Sequence, residues 1–211
     1  MSQPHSSLDD KNIQSFMPTI TFDNKKLLDI QDEYKNDYVL YCSTVSSDGM
    51  CLSLEQISIV VYILRYGGVG NRLDTGSGLS SYVIQKETLD PHVHVSVEDN
   101  GNWIKKTEEF MLLHNLSTKN LILWENFSTI SHTYDFIYHD LGKMSTRESS
   151  LLTILSKLNS GGYIMLDDVH KYNYRRYVEG VVGLVGCLKQ IDITDISRDK
   201  FGRYAYLYQK I

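Results

Sequence analysis

The chain has 211 residues, a formal net charge of -5 and a 42% hydrophobic share, the composition of a globular protein with enough chain to bury one sizeable core. An acidic balance argues against a polyanionic partner, because phosphate backbones are held by basic faces, so no nucleic acid is expected. No apolar run is long enough to cross a bilayer, and the start, Met1-Ser2-Gln3-Pro4-His5-Ser6-Ser7, lacks the basic and apolar regions of a secretory signal. A cytoplasmic protein without a membrane partner is the expectation, its oligomeric state open. Cys42, Cys51 and Cys187 have no metal-like or redox-like spacing and read as reduced thiols, with Cys187 in the core.

Residues Met1 to Phe16 are polar and aperiodic and read as a loose tail. Asn24 to Tyr38 reads as a short polar helix with Leu27, Leu28 and Ile30 on its apolar side, a cap or lid ahead of the main domain. Residues 1–50 are therefore assigned to a tail and cap, and 51–211 to a ligand-binding domain. Ser53 opens a clear helix as N-cap, with Gln56 in capping-box position and Ile57, Val60, Val61 and Leu64 as its buried stripe.

Beyond Gly67-Gly68 strand and helix alternate. Strands are expected at Arg72 to Thr75, His92 to Val97, Leu121 to Trp124, Tyr134 to His139 and Tyr163 to Leu166. Helices are expected at Leu79 to Lys86, Asn102 to His114, Thr146 to Leu158 and Tyr174 to Leu188. Helical crossovers demand a largely parallel sheet covered on both faces, a three-layer doubly wound Rossmann-like α/β fold. Gln190 to Ile196 and Arg203 to Gln209, joined by a turn at Arg198 to Gly202, form an antiparallel hairpin at the sheet's edge. Lys171, Arg175 and Arg176, interleaved with Tyr172, Tyr174 and Tyr177, read either as a solvated helix face or as the cover of a site's mouth.

Ligands of such sheets lie beyond the carboxyl ends of the strands, and the residues there are acidic. Asp74, Gly76, Ser77, Gly78 and Ser80 follow the first strand, Glu98 and Asp99 the second, Glu125 the third, Asp140 the fourth, and Asp167 and Asp168 the fifth. The two glycines let a ligand approach the main chain, and a carboxylate closing the second strand can accept both ribose hydroxyls. An adenosine-like cofactor is implied, although Glu98 also reads as a plain helix cap. Trp103 either stacks near the adenine or packs its helix onto the sheet. Arg147, in the first turn of a helix whose dipole it opposes, suggests an ion pair with an active-site acid.

The linked set Leu73 to Gly78, Val97-Glu98-Asp99, Tyr134 to Asp140, Gly161 to Asp168 and the edge hairpin resembles the class I S-adenosylmethionine-dependent methyltransferases over about Ser53 to Ile211. The resemblance implies that Asp74, Gly76, Ser77, Gly78 and Ser80 pass the methionine part, that Glu98 and Asp99 hold the ribose, and that Trp103, Glu125 and Asp140 complete the cofactor site. Ser80 stands where many members carry a third glycine.

Asp140-Leu141-Gly142-Lys143 with Asp167-Asp168 looks like the metal-dependent O-methyltransferases of the catechol and sugar-modifying types. That likeness implies Mg²⁺ or Mn²⁺ on Asp140, Asp167 and Asp168, with Lys143 or His170 as competing general bases and Asp140 in the catalytic group. A hard cation suits oxygen ligands and acidifies a bound hydroxyl; helix capping by Asp140 and Asp167 is the competing account. Methyl transfer to a hydroxyl of a sugar or glycan is the expected activity. A nicotinamide-dependent oxidoreductase and a non-catalytic cofactor-binding subunit are the alternatives.

Overall fold

The computed structural model describes residues 19–211, so the tail expected at Met1 to Phe16 lies outside the described residues. The helices are α1 Asn24–Thr44, α2 Leu54–Tyr66, α3 Leu79–Lys86, α4 Gly101–Leu113, α5 Met144–Ser156 and α6 Tyr172–Val185. The strands are β1 Arg72–Thr75, β2 His94–Glu98, β3 Leu121–Leu123, β4 Tyr134–His139, β5 Leu158–Leu166, β6 Leu188–Ile191 and β7 Tyr206–Lys210, with a 3-10 turn at Trp124–Thr129.

These strands form one seven-stranded sheet in the order β3-β2-β1-β4-β5-β7-β6. Strands β1 to β5 pair in parallel through helical crossovers, and β7 pairs antiparallel with both β5 and β6. The expected doubly wound sheet with an antiparallel C-terminal hairpin is what forms.

Both faces are covered because side chains alternate along each strand. Phe136, Tyr138, Tyr163 and Met165 enter one core with Leu27 and Ile30 of α1, Ile57 and Val60 of α2, Tyr82 of α3 and Phe110 of α4. Leu73, Val97, Ile137 and Ile164 point the other way, into a core with Leu151 and Ile154 of α5 and Val178 and Val181 of α6. Among the described residues no helix is long and apolar enough to cross a membrane.

Several element bounds differ from the sequence expectation. Helix α1 runs on to Thr44, because Tyr34 and Tyr41, fully buried tyrosines, extend the stripe begun by Leu27 and Ile30, while Leu28 is 61% exposed. Helix α6 stops at Val185, where Gly186 takes a left-handed cap (φ 68°). That cap frees Leu188 to Ile191 as β6, shorter and earlier than expected, and Cys187 is only half-buried. Strand β5 starts at Leu158, five residues before Tyr163, pairing there with Tyr134 across a bulge. The basic cluster is dispersed: Lys171 pairs with Asp168, Arg175 donates to the Tyr204 hydroxyl, and Tyr174 is buried.

Candidate active site

The sheet reverses its winding between β1 and β4, and the loops that leave these two strands diverge there. They are tied at the root: Gly76 N–H donates to the Val97 carbonyl and Asp140 N–H to the Thr75 carbonyl, both at 2.7 Å. Above this point lies a cavity of about 550 Å³, lined by the turn Gly76 to Ser80, by Glu98, Asp99 and Trp103, by Tyr138, Asp140 and Lys143, and by Tyr41 and residues 50–52. That volume is within the range of small-molecule and cofactor pockets.

Glu98 is the most constrained acid of the cavity. Its Oε2 accepts from the Ser77 N–H at 2.8 Å and its Oε1 from the Asn100 N–H at 3.0 Å, which clamps the carboxylate between the glycine turn and the cap of α4. Burial, helped by the adjacent Asp99, pushes its pKa up to about 7, against the two amides. The role of capping α4 belongs to Asn100, whose side chain accepts from Asn102 N–H and Trp103 N–H, so Glu98 is left free to face the cavity. Trp103 both lines the cavity and fixes the turn, its indole N–H donating to the Ser77 carbonyl at 2.5 Å.

Asp74 does not line the cavity. Its side chain is fully buried beneath the turn, where Oδ2 accepts from the hydroxyls of Ser80, Ser81 and Ser96 at 3.1, 2.6 and 3.1 Å, and burial pushes its pKa up to about 7. Ser80 stands where a third glycine is common because its hydroxyl is one of these donors, and Ser81 also accepts from the Gly78 N–H. Asp74 thus shapes the turn. Glu125 lies exposed in the 3-10 turn after β3, outside the lining of the cavity.

The fit to an adenosine-containing cofactor rests on three features: a carboxylate braced at the end of β2, a turn of close main-chain approach, and a clear cavity beside both. At Gly78 a Cβ would stand 3.0 Å from the Tyr41 hydroxyl, narrowing the passage under α1.

The expected metal centre is not assembled among the described residues. Asp167 faces α2: its Oδ1 accepts from Gln56 Nε2 at 2.9 Å and its Oδ2 from the Tyr138 hydroxyl at 2.9 Å. Gln56, expected to complete a capping box, is diverted to this contact, while Ser53 keeps its half by accepting from Gln56 N–H. Asp140 and Asp168 meet one guanidinium. Arg147 places Nη1 2.6 Å from Asp168 Oδ2 and Nη2 against Asp140 Oδ1, and also donates to the Gly142 carbonyl. The ion pair expected of Arg147 is present, and a cation already fills the space between two of the three acids. These residues therefore do not fit a divalent ion as they stand.

His139 fixes the arginine's backbone. Burial pushes its pKa down to about 4, so it is neutral; its Nε2–H donates to the Arg147 carbonyl at 3.2 Å, and its Nδ1 accepts from the Thr75 hydroxyl at 2.6 Å. Burial pushes Asp140 well above its ordinary value, opposed by Arg147 and reinforced by Asp167, Asp168 and Asp74. Burial also acts upward on Asp168, but hydrogen bonds from Lys171 and Arg147 hold it below its usual value. Of the two candidate bases, Lys143 lines the cavity; His170 does not, and lies 3.6 Å from Asp168 with its ring towards Tyr204.

From the sequence, residues 1–50 read as a tail and cap, and Met50, Cys51 and Leu52 have no place in the site, yet these three, in the α1–α2 loop, form a cavity wall. Arg203 holds this loop from the β6–β7 connection: it donates to the carbonyls of Gly49, Asp48 and Cys51 at 2.8, 2.9 and 3.2 Å while paired to Asp199 at 2.6 Å. Arg203→Ala is expected to accelerate amide exchange over residues 46–52 by tenfold or more, roughly the loss of 1–3 kcal/mol from hydrogen bonds to a charged group. Hydrogen-exchange mass spectrometry checks this, with β1 and β4 as unaffected controls.

Comparison with solved structures bears on the same region. An O-methyltransferase of Bacillus cereus, in complex with SAH, superposes with a TM-score of 0.60 at 13% identity over 93% of each chain. The chain has the class I methyltransferase fold. The same fold is seen in the O-methyltransferase of Streptomyces achromogenes involved in tomaymycin synthesis, in complex with SAM, with a TM-score of 0.57 at 11% identity over 89% of each chain. An rRNA methylase of Streptococcus thermophilus matches 74% of this chain and 96% of its own, with a TM-score of 0.55 at 14% identity. No protein-family model matches the chain, and no curated protein matches its sequence.

Proposed function

We propose that this protein is an S-adenosylmethionine-dependent O-methyltransferase. The observation that carries it is the buried Glu98 carboxylate, clamped by the Ser77 and Asn100 amides beside the glycine turn and facing a cavity at the switch point of a class I methyltransferase fold. Glu98 would hold the ribose hydroxyls, the turn Gly76 to Ser80 would pass the methionine part, and Trp103 would flank the nucleoside. When bound, the cofactor supplies a methyl group activated by its sulfonium.

The chain's own residues align and deprotonate the acceptor. Asp140 and Lys143 stand on the wall after β4, where an acceptor hydroxyl would meet the methyl group, and these two are the candidates to take its proton. A sugar or glycan hydroxyl is the acceptor class, supported by the acidic net charge of -5, which disfavours a nucleic acid. Metal assistance forms no part of the mechanism, because Arg147 already neutralises Asp140 and Asp168. Neither a nicotinamide enzyme nor a non-catalytic subunit is favoured by an observation of the site.

Calorimetric titration of S-adenosylmethionine, followed by mass-spectrometric detection of methylated products over a panel of sugars and phenols, tests this. Saturable 1:1 binding and a mass gain on a sugar are expected. Absence of cofactor binding overturns the assignment, and methylation of phenols alone overturns the acceptor class.

A further inference from the structure

The acids after β4 and β5 stand where a divalent ion would be expected, yet what joins them is a side chain. Arg147 is 7% exposed and spans the two loops, with one terminal nitrogen on Asp140 and the other on Asp168. Three features show that the placement is built. His139, buried and neutral, grips the Arg147 carbonyl and is itself held by Thr75 of β1. The Gly142 carbonyl accepts from the same guanidinium at 3.3 Å. Asp168 adopts a left-handed backbone (φ 61°), which an aspartate tolerates better than most residues, and its Oδ2 is shared between Arg147 and Lys171 at 2.6 Å each. A cation in the first turn of α5 opposes the helix dipole, so local preference does not account for it.

We propose that Arg147 is the resident cation of a metal-independent centre, occupying the place of a divalent ion between Asp140 and Asp168 and holding Asp140 towards the cavity. The inference deepens the methyl-transfer assignment and rests on it for the role of Asp140. A guanidinium supplies fixed charge and fixed directions, which orient a carboxylate without the ligand exchange a metal allows. It cannot take an acceptor oxygen into its own coordination sphere, so deprotonation falls to a side chain on the cavity wall, Asp140 or Lys143, with Arg147 as a positioning residue.

Replacement of the arginine should uncover what it covers. Mn²⁺ titration, followed by electron paramagnetic resonance of the free ion, is made on wild type, Asp140→Asn, Arg147→Ala, Arg147→Gln and the double variant Arg147→Gln/Asp140→Asn, each checked for folding by circular dichroism. Wild type is expected to show no saturable site up to about 1 mM Mn²⁺. Arg147→Ala and Arg147→Gln are expected to bind one ion at least tenfold more tightly than wild type, and the double variant Arg147→Gln/Asp140→Asn to lose that gain.

One equivalent of Mn²⁺ held by wild type and lost in Asp140→Asn would overturn the proposal, as would folded Arg147 variants that bind no better than wild type. If neither Arg147 variant folds, the wild-type and Asp140→Asn titrations decide alone. S-adenosylmethionine is titrated into the same wild-type sample. Failure there strikes the methyl-transfer assignment and leaves the metal result to be read on its own.

Discussion

Glu98→Ala is expected to weaken S-adenosylmethionine binding by roughly a hundred-fold or more, the loss of two hydrogen bonds to a charged acceptor at about 1.5–3 kcal/mol each. Calorimetry at pH 8 reads this, and unaltered affinity would remove Glu98 from the site. The Ser77 and Asn100 amides lose their partner in that variant. Glu98→Gln, which retains one carbonyl oxygen, is therefore expected to fall between it and wild type.

The pH dependence follows from the same carboxylate. Ribose hydroxyls donate to the ionised form, whereas burial raises the Glu98 pKa to about 7 in the empty site. Cofactor affinity should therefore fall by up to tenfold per unit as pH drops below about 7 and level off above it, and Glu98→Gln should abolish this dependence. Stability runs in the opposite direction. Between the ordinary carboxylate value and about 7 the folded state holds protons on Glu98 and Asp74 that the unfolded state has released. Their contribution is thus complete below pH 4 and is lost as pH rises through 7. Because buried, neutral His139 acts in the opposite sense, the carboxylate part is read by difference: from pH 5.5 to 8 the urea midpoint of cofactor-free wild type is expected to move downward relative to that of Glu98→Gln.

Gly76→Ala is expected to cost about 3 kcal/mol or more of stability, with cofactor binding lost alongside. The residue sits at φ 95°, and an added Cβ would collide with the Asp140 carbonyl oxygen and lie 2.6 Å from its carbon. That carbonyl belongs to a segment fixed by the Asp140 N–H to Thr75 bond, so neither side can yield. Gly142→Ala makes the informative control. Its Cβ would meet the Asp99 carboxylate, a side chain that can turn aside, and the φ of 50° lies in a region other residues enter. About 1 kcal/mol is expected there, and equal losses in the two variants, read by urea denaturation, would contradict the close approach of β1 and β4 loops.

What the sequence determined by itself is the part written in local periodicity. Alternating apolar strands separated by helical stripes dictate a parallel, doubly covered sheet, the turn Gly76-Ser77-Gly78 marks its ligand end, and Glu98 falls at that end because it closes β2. Even the misplacement of Arg147 against the helix dipole was legible as a pairing with an acid. The tertiary structure decided which acid meets which partner. Asp74 and Glu98 both follow the pattern of a strand-end acid, but alternation turns Asp74 onto three serine hydroxyls and leaves Glu98 on the cavity. Gln56 reaches Asp167 across 111 residues of sequence, Arg203 reaches Asp48 and Cys51 across 155 and 152, and Tyr41 comes from a helix whose aliphatic pattern ends earlier. Such contacts join elements whose separation in the chain carries no period. They are set by how the sheet twists and where each loop leaves it, and that is why the three aspartates became one half-buried acid hydrogen-bonded to Gln56 and Tyr138 and two partners of a single arginine.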